Sequence, residues 1–240
     1  MTKGIGAYIL RFFDSVAAFA VPRTCPVCGR SLNNGEGPMC LHCLMGLPRT
    51  DFHLSPDPDM ILDRLPGMPV PKHVASWFYY NRFSAYAELV RHAKYHDCPG
   101  LAREAGKAFA TETAAEGAFE DVDVLLPVPM HWFKQLRRGY NQSVEIAAGI
   151  SDATGTPIGD NLRAARSHKT QTRRSFEMRR RNVAGTFVVE NPEEIAGLNV
   201  GIVDDVITSG ATMCEAMRAL LQCPTPPASI SIYSLAIANR

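Results

Sequence analysis

Apolar runs short enough to be strands recur along the chain, each followed by residues spaced for a helix. Val74 to Tyr80 is β-branched and aromatic enough for a strand. Val122 to Val128 ends in Pro127-Val128-Pro129 and predicts a buried strand stopped by two prolines. Val200, Ile202 and Val203 predict a third strand, parallel and covered on both faces, closed by Asp204 and Asp205. Helices are expected over Phe83 to Tyr95, Gly100 to Ala115, from Asn141 to Ile150, and over ATMCEAMRALLQ beginning at Ala211. The stripe Tyr86, Leu89, Val90, Ala93 gives the first its buried face, while Arg91 and Lys94 either reach toward a phosphate or snorkel into water. With 240 residues, 46% of them hydrophobic, the chain has room for one α/β domain and a smaller module.

The division expected is 1–48 for an N-terminal helix and cysteine module, 49–73 for a linker, and 74–240 for the main domain. Thr2 to Val21 is apolar, but Arg11 and Asp14 interrupt it and no clean small-residue cleavage site follows. Too short and too charged to span a bilayer, it reads as an amphipathic helix packed on the body, a membrane-surface helix being the weaker alternative. Pro48 to Pro71 is rich in Pro and Asp without a sustained period, hence the linker. A formal net charge of +1 predicts no acidic partner by itself.

Local chemistry says more. Cys25, Cys28, Cys40 and Cys43 follow C-x2-C-x11-C-x2-C, a spacing that brings four thiolates around a tetrahedral, structural Zn²⁺, with His42 as a possible substitute ligand. Disulfides compete, but a chain read as lacking a secretory signal is expected in a reducing cytoplasm. Cys98, Cys214 and Cys223 lack partner spacing and are expected to be packing thiols.

In NVGIVDDVITSGAT, 199–212, the strand's carboxyl end is where open α/β sheets bind ligands. Thr208, Ser209, Gly210, Ala211 and Thr212 then offer hydroxyls, backbone N–H groups and a helix N-terminus to a phosphate. The plainer reading is an Asp-Asp turn before a capped helix, but capping does not require the whole loop. With no Lys after the glycine it is not a nucleoside-triphosphate P-loop. The stretch resembles the 5-phosphoribosyl-1-pyrophosphate (PRPP) motif of type I phosphoribosyltransferases. That resemblance implies their fold, a mainly parallel sheet with helices on both sides. It also implies that Asp204 and Asp205 address the ribose hydroxyls, that Thr208 to Thr212 hold the 5′-phosphate, and that Mg²⁺ accompanies PRPP. The segment after Pro129 corresponds to the pyrophosphate loop, with Lys134, Arg137, Arg138 and Gly139 at the leaving group.

Arg163 to Asn182 carries Arg163, Arg166, Lys169, Arg173, Arg174, Arg179, Arg180 and Arg181 against one acid, Glu177. Lying between two expected strands, the second at Gly185 to Glu190, it reads as a basic lid over a polyanionic substrate. A clamp for single-stranded DNA fits the charge as well, with Phe176 inside it and Trp132, Phe133 and Tyr140 nearby to stack bases.

The four cysteines, Lys94-Tyr95, Pro127-Val128-Pro129, Arg138 to Gln142, the basic segment and the PRPP motif occur in the order found in the ComF (competence protein F) family, which the chain resembles from Cys25 onward. The resemblance implies a phosphoribosyltransferase-like protein required for uptake of transforming DNA, without an established substrate. A non-enzymatic factor that binds single-stranded DNA, or docks a helicase or another uptake protein through the zinc finger, is the alternative. Thr2 stands where a glutamine-using amidophosphoribosyltransferase domain carries its nucleophilic cysteine, so that activity is not expected.

Overall fold

The computed structural model describes residues 23–33, 35–95, 98–130, 139–165 and 186–239. In chain order its elements are α1 (Leu41–Met45), α2 (Pro58–Arg64), β1 (Val74–Tyr80), α3 (Ala87–Tyr95), α4 (Pro99–Thr113), β2 (Val124–Pro127), α5 (Gln142–Thr154), β3 (Leu162–Ala164), β4 (Phe187–Val189), β5 (Asn199–Ile207), α6 (Ala211–Leu221) and β6 (Ser229–Ala238). The expected amphipathic helix within 2–21 lies outside the described residues. No described helix is long and apolar enough to cross a membrane.

Four strands stand in the order β1-β6-β5-β2, every pairing parallel, and β3 with β4 forms a small antiparallel pair beside them. The expected α/β architecture is therefore present, and all four carboxyl ends share one edge. One sheet face is buried by α3, α4, α5 and the cysteine module, through Trp77, Phe109, Leu125, Ile146 and Leu235. The other lies under α2, α6 and the small hairpin, through Phe52, Leu126, Ile202, Met217 and Ile232. Helices α4 and α5 cross so closely that a Cβ at Gly149 would stand 2.0 Å from the Arg103 carbonyl oxygen, which only glycine permits.

Three expectations change. The acids do not close β5: its ladder with β6 continues to Ile207↔Ile237, whereas β2 stops with Pro127 opposite Val203. Asp204 and Asp205 thus rise above the short neighbour while the long one carries the strand onward. Helix α3 begins at Ala87 rather than Phe83, because the Asn81 side chain accepts from Phe83 N at 2.9 Å and holds a turn there. The stretch read as a linker contains α2, started by Asp57, whose side chain accepts from Met60 N at 3.0 Å, and by Pro58. Phe52, Met60, Ile61 and Leu65 are buried in the second core.

The cysteine module likewise joins the first core: Cys25, Cys40 and Cys43 are buried in one cluster with Phe78 and Leu89. Tyr86 Oη donates to the Cys43 carbonyl at 3.0 Å, and Arg49 spans Glu112 and the Leu44 carbonyl. Among the other thiols Cys214 is buried, but Cys98 is exposed and so is not the packing thiol expected.

Candidate functional site

The carboxyl edge is built from β5 outward. Ser143, in the first turn of α5, donates from Oγ to Asp204 Oδ1 at 3.0 Å, and the Asp205 backbone N donates to the same oxygen at 2.9 Å. Asn141 sets that serine: its Oδ1 accepts from Ser143 N at 3.1 Å, and its Nδ2 donates to the Val128 carbonyl at 3.0 Å, tying the start of α5 to the end of β2. From the other side Lys94, at the end of α3, pairs through Nζ with Asp205 Oδ2 at 3.0 Å. Its side chain is 23% exposed and that of Asp205 16%, so the pair is sheltered enough to act on its neighbour. Burial, and then the Asp205 carboxylate, push Asp204 up from the ordinary 3.8 to about 7, with Ser143 and Lys94 opposing the rise.

After Ile207 come Thr208 and Ser209, both exposed, then Gly210 at φ 75, and α6 opens at Ala211. A Cβ at Gly210 would lie 1.8 Å from the Arg64 carbonyl oxygen, so the side that glycine keeps clear faces α2. Gly210→Val would therefore push α2 off the turn. Of the expected pyrophosphate loop, Gly139 is described at φ 81 and exposed; Lys134, Arg137 and Arg138 lie outside the described residues. So do Arg166 to Arg181, Trp132 and Phe133. Arg163 stands on β3 and pairs with Asp160 and, at 3.4 Å, with Glu190. Tyr140 donates from Oη to the Ala93 carbonyl, one residue from Lys94.

Sequence reasoning missed Ser143 and Asn141 as site residues and left Lys94 between two fates. The signal for Ser143 was its place one residue after Gln142, at a helix start following a strand that ends on the ligand-binding edge.

Away from this edge, the Sγ atoms of Cys25, Cys28, Cys40 and Cys43 all lie within 4.8 Å of one another, with Cys28 and Cys40 at 3.7 Å. That is far beyond a disulfide bond, and it matches the edge of about 3.8 Å in a tetrahedron with Zn–S of about 2.3 Å. Burial opposes ionisation of Cys25, yet N–H groups of Cys40, Cys28 and Val27 together hold its thiol at about 7. Burial, then bonding among the other thiols, pushes Cys43 well up. Four sulfurs so placed cannot all ionise without a cation, and a thiophilic divalent ion fits them.

The layout, a parallel α/β sheet with two acids, a lysine and a hydroxyl-rich turn on one edge, puts these groups at the carboxyl ends of the strands, where open α/β sheets generally take their ligands. The model of the phosphoribosyl transferase domain matches residues 114–236, just over half of the chain, which belongs to that family. Competence protein F of Haemophilus influenzae is 34% identical over 100 residues, 41% of this chain and 44% of that one. DNA utilization protein YhgH of Salmonella typhi is 33% identical over 101 residues, 42% and 44% of the two chains. The match thus spans less than half the length of these curated relatives, and it bears out the resemblance to competence protein F. A glutamine PRPP amidotransferase from B. subtilis aligns with a TM-score of 0.40 and 22% identity over 61% of this chain and 30% of that one.

Proposed function

We propose that this edge binds PRPP with Mg²⁺, or a ribose 5-phosphate nucleotide, in a cytoplasmic protein serving the uptake of transforming DNA. The observation that carries it is the acid pair held by Ser143 and Lys94 directly before a hydroxyl-rich turn that opens α6. Two carboxylates side by side repel unless hydroxyls or cations occupy the space beside them, and a ribose diol with its phosphate meets both demands. Asp204 and Asp205 would accept from the 2′ and 3′ hydroxyls. Thr208, Ser209, Gly210, Ala211 and Thr212 would hold the 5′-phosphate, while Lys134, Arg137 and Arg138 neutralise the pyrophosphate. When transfer occurs, the acids also stabilise the positive charge that develops at C1 as pyrophosphate departs. Bound Mg²⁺ supplies charge neutralisation for the pyrophosphate and ribose oxygens.

The relatives' names favour a second reading, binding without turnover in a factor that handles single-stranded DNA through Arg163 to Arg181. On that reading a helicase or other uptake protein docks on the zinc module, where Leu41 and Met45 of α1 are 61% and 75% exposed. Calorimetric titration of Mg²⁺·PRPP into wild type, Asp204→Asn/Asp205→Asn and Thr208→Val/Ser209→Ala tests the site. Each double variant is expected to bind at least about tenfold more weakly. Equal affinity in all three refutes it, and tight binding with no pyrophosphate released from PRPP in the presence of any nucleobase selects the second reading.

A further inference from the structure

Seven of the nine described arginines pair with a carboxylate, and an eighth, Arg82, is exposed and stacks over Phe83. Arg64 does neither. It is the last residue of α2, whose Met60 and Ile61 are buried in the same core as Met213 and Cys214 of α6, so its backbone is fixed. Its carbonyl accepts from Cys214 Sγ at 3.5 Å and abuts Gly210 at the mouth of the phosphate turn. Its side chain runs to the carboxyl end of β6, where Nη2 donates to the Ala238 carbonyl at 2.5 Å. Ala238 lies one residue past the Ile207↔Ile237 pair and opposite Tyr80 of β1. The guanidinium therefore stands level with Thr208, on the side of β5 away from β2.

A guanidinium carries five N–H donors and a permanent charge. Among the described residues this one has a single partner, a neutral carbonyl, and its Nε is buried with no acceptor. A partly buried cation with a buried, unsatisfied donor is costly unless an anion completes it. The fork of the group suits a carboxylate or phosphate held by two parallel bonds.

We infer that Arg64 is the anchor of an anionic acceptor. The inference rests on the PRPP reading above. On that reading the pyrophosphate belongs beyond the carboxyl end of β2, and β2 and β6 flank β5 on opposite sides, so the leaving group lies on one side of β5 and Arg64 on the other. In-line displacement brings the acceptor from the side opposite the leaving group. There the acceptor's nucleophilic nitrogen bonds to C1, the C1–O bond breaks and pyrophosphate keeps the electron pair; a ring N–H acceptor passes its proton to water, whereas a pyridine nitrogen has none to lose and becomes a pyridinium. Arg64 holds the acceptor's carboxylate or phosphate through that step. The substrate class is a nitrogen nucleophile bearing an acidic group, in contrast to a neutral nucleobase.

Two pairs of probes differing in the charged group test this on the full chain: orotate against uracil, and nicotinate against nicotinamide. Titrated into zinc-loaded wild type, at least one acid is expected to bind about tenfold more tightly than its neutral counterpart. Arg64→Gln should erase that preference and Arg64→Lys, which keeps the charge but not the fork, should retain part of it. Neither acid outbinding its counterpart, or a preference that survives Arg64→Gln, overturns the inference. Mg²⁺·PRPP affinity should stay within about twofold in both variants; a tenfold loss would give Arg64 to PRPP's own phosphates instead and equally overturn it. Wild type that binds an acid but no PRPP would sink the PRPP reading and leave the anion site standing. Should Arg64→Gln lose its zinc or its fold, Arg64→Lys decides alone, full preference in it counting against the site.

Discussion

The cysteine cluster and the acid pair both crowd groups that repel when ionised, yet the fold treats them oppositely. Around Asp204 and Asp205 it supplies side-chain counter-groups, a hydroxyl from Ser143 and an ammonium from Lys94, which oppose without cancelling the rise of Asp204. Around the four thiols, backbone N–H groups hold Cys25 while burial pushes Cys43 toward its neutral form. On the reading proposed above, the acid pair keeps a cation of its own that a ligand can replace, whereas a metal held by the four cysteines would be part of the built structure. The first is a site of traffic and the second a fastener.

Breaking the fastener should give the largest effect. Because Cys25, Cys40 and Cys43 share a core with Phe78 and Leu89, metal loss should loosen β1 and α3 as well as the module, not the module alone. Cys40→Ser, or a strong chelator, is expected to cost several kcal/mol, with about one Zn²⁺ per chain in wild type. Metal analysis and thermal melting check this, and zinc-free protein that melts like the wild type would remove the distinction.

What could be read in advance divides along similar lines. The C-x2-C spacing and the Asp-Asp-x-x-Thr-Ser-Gly-Ala-Thr stretch are local, so residues adjacent in sequence already carry their chemistry. Strands such as Val74–Tyr80 were legible because β-branched and aromatic residues dominate them, Val74, Trp77, Phe78, Tyr79 and Tyr80 in this one. Ser143, Lys94 and Arg64 come from three separate helices and matter only through which strand end each helix reaches, which no local pattern encodes. Helix α2 hid for a related reason: seven residues with two aspartates have too few turns to show a period, and burial against α6 rather than propensity makes it.

A mid-sized effect concerns pH. Asp204 titrates at about 7 in the folded protein against an ordinary 3.8, so between these values the native state binds more protons than the unfolded one. The stability this contributes is fully present below about 3.8 and is lost as pH rises through about 7. Apo protein should therefore weaken across that window. Asp204→Asn, which keeps an acceptor for Ser143 but no titrating proton, should flatten the slope and raise stability at pH 8 by on the order of 1–2 kcal/mol. Denaturant melts at pH 5, 6, 7 and 8 measure it, and parallel pH profiles for the two proteins would mean that Asp204 carries no such burden.

The smallest effect probes the lysine that pairs with Asp205. Lys94 holds Asp205 at 3.0 Å and also opposes the upward shift of Asp204. Lys94→Met keeps the apolar stem that packs at the end of α3 and deletes only the charge. Apo stability near neutral pH should then fall by about 0.5–1 kcal/mol, the range of a partly exposed ion pair, and the pH-dependent loss set by Asp204 should extend upward. The decisive reading is Mg²⁺ added without PRPP. If Lys94 is the cation that a ligand displaces, the variant has an unmet demand for positive charge and should be stabilised more by millimolar Mg²⁺ than wild type is. Equal Mg²⁺ shifts in the two proteins would show that Lys94 does not occupy the place of a ligand's cation, and the acid pair would then rank with the cysteines as a fixed structural feature.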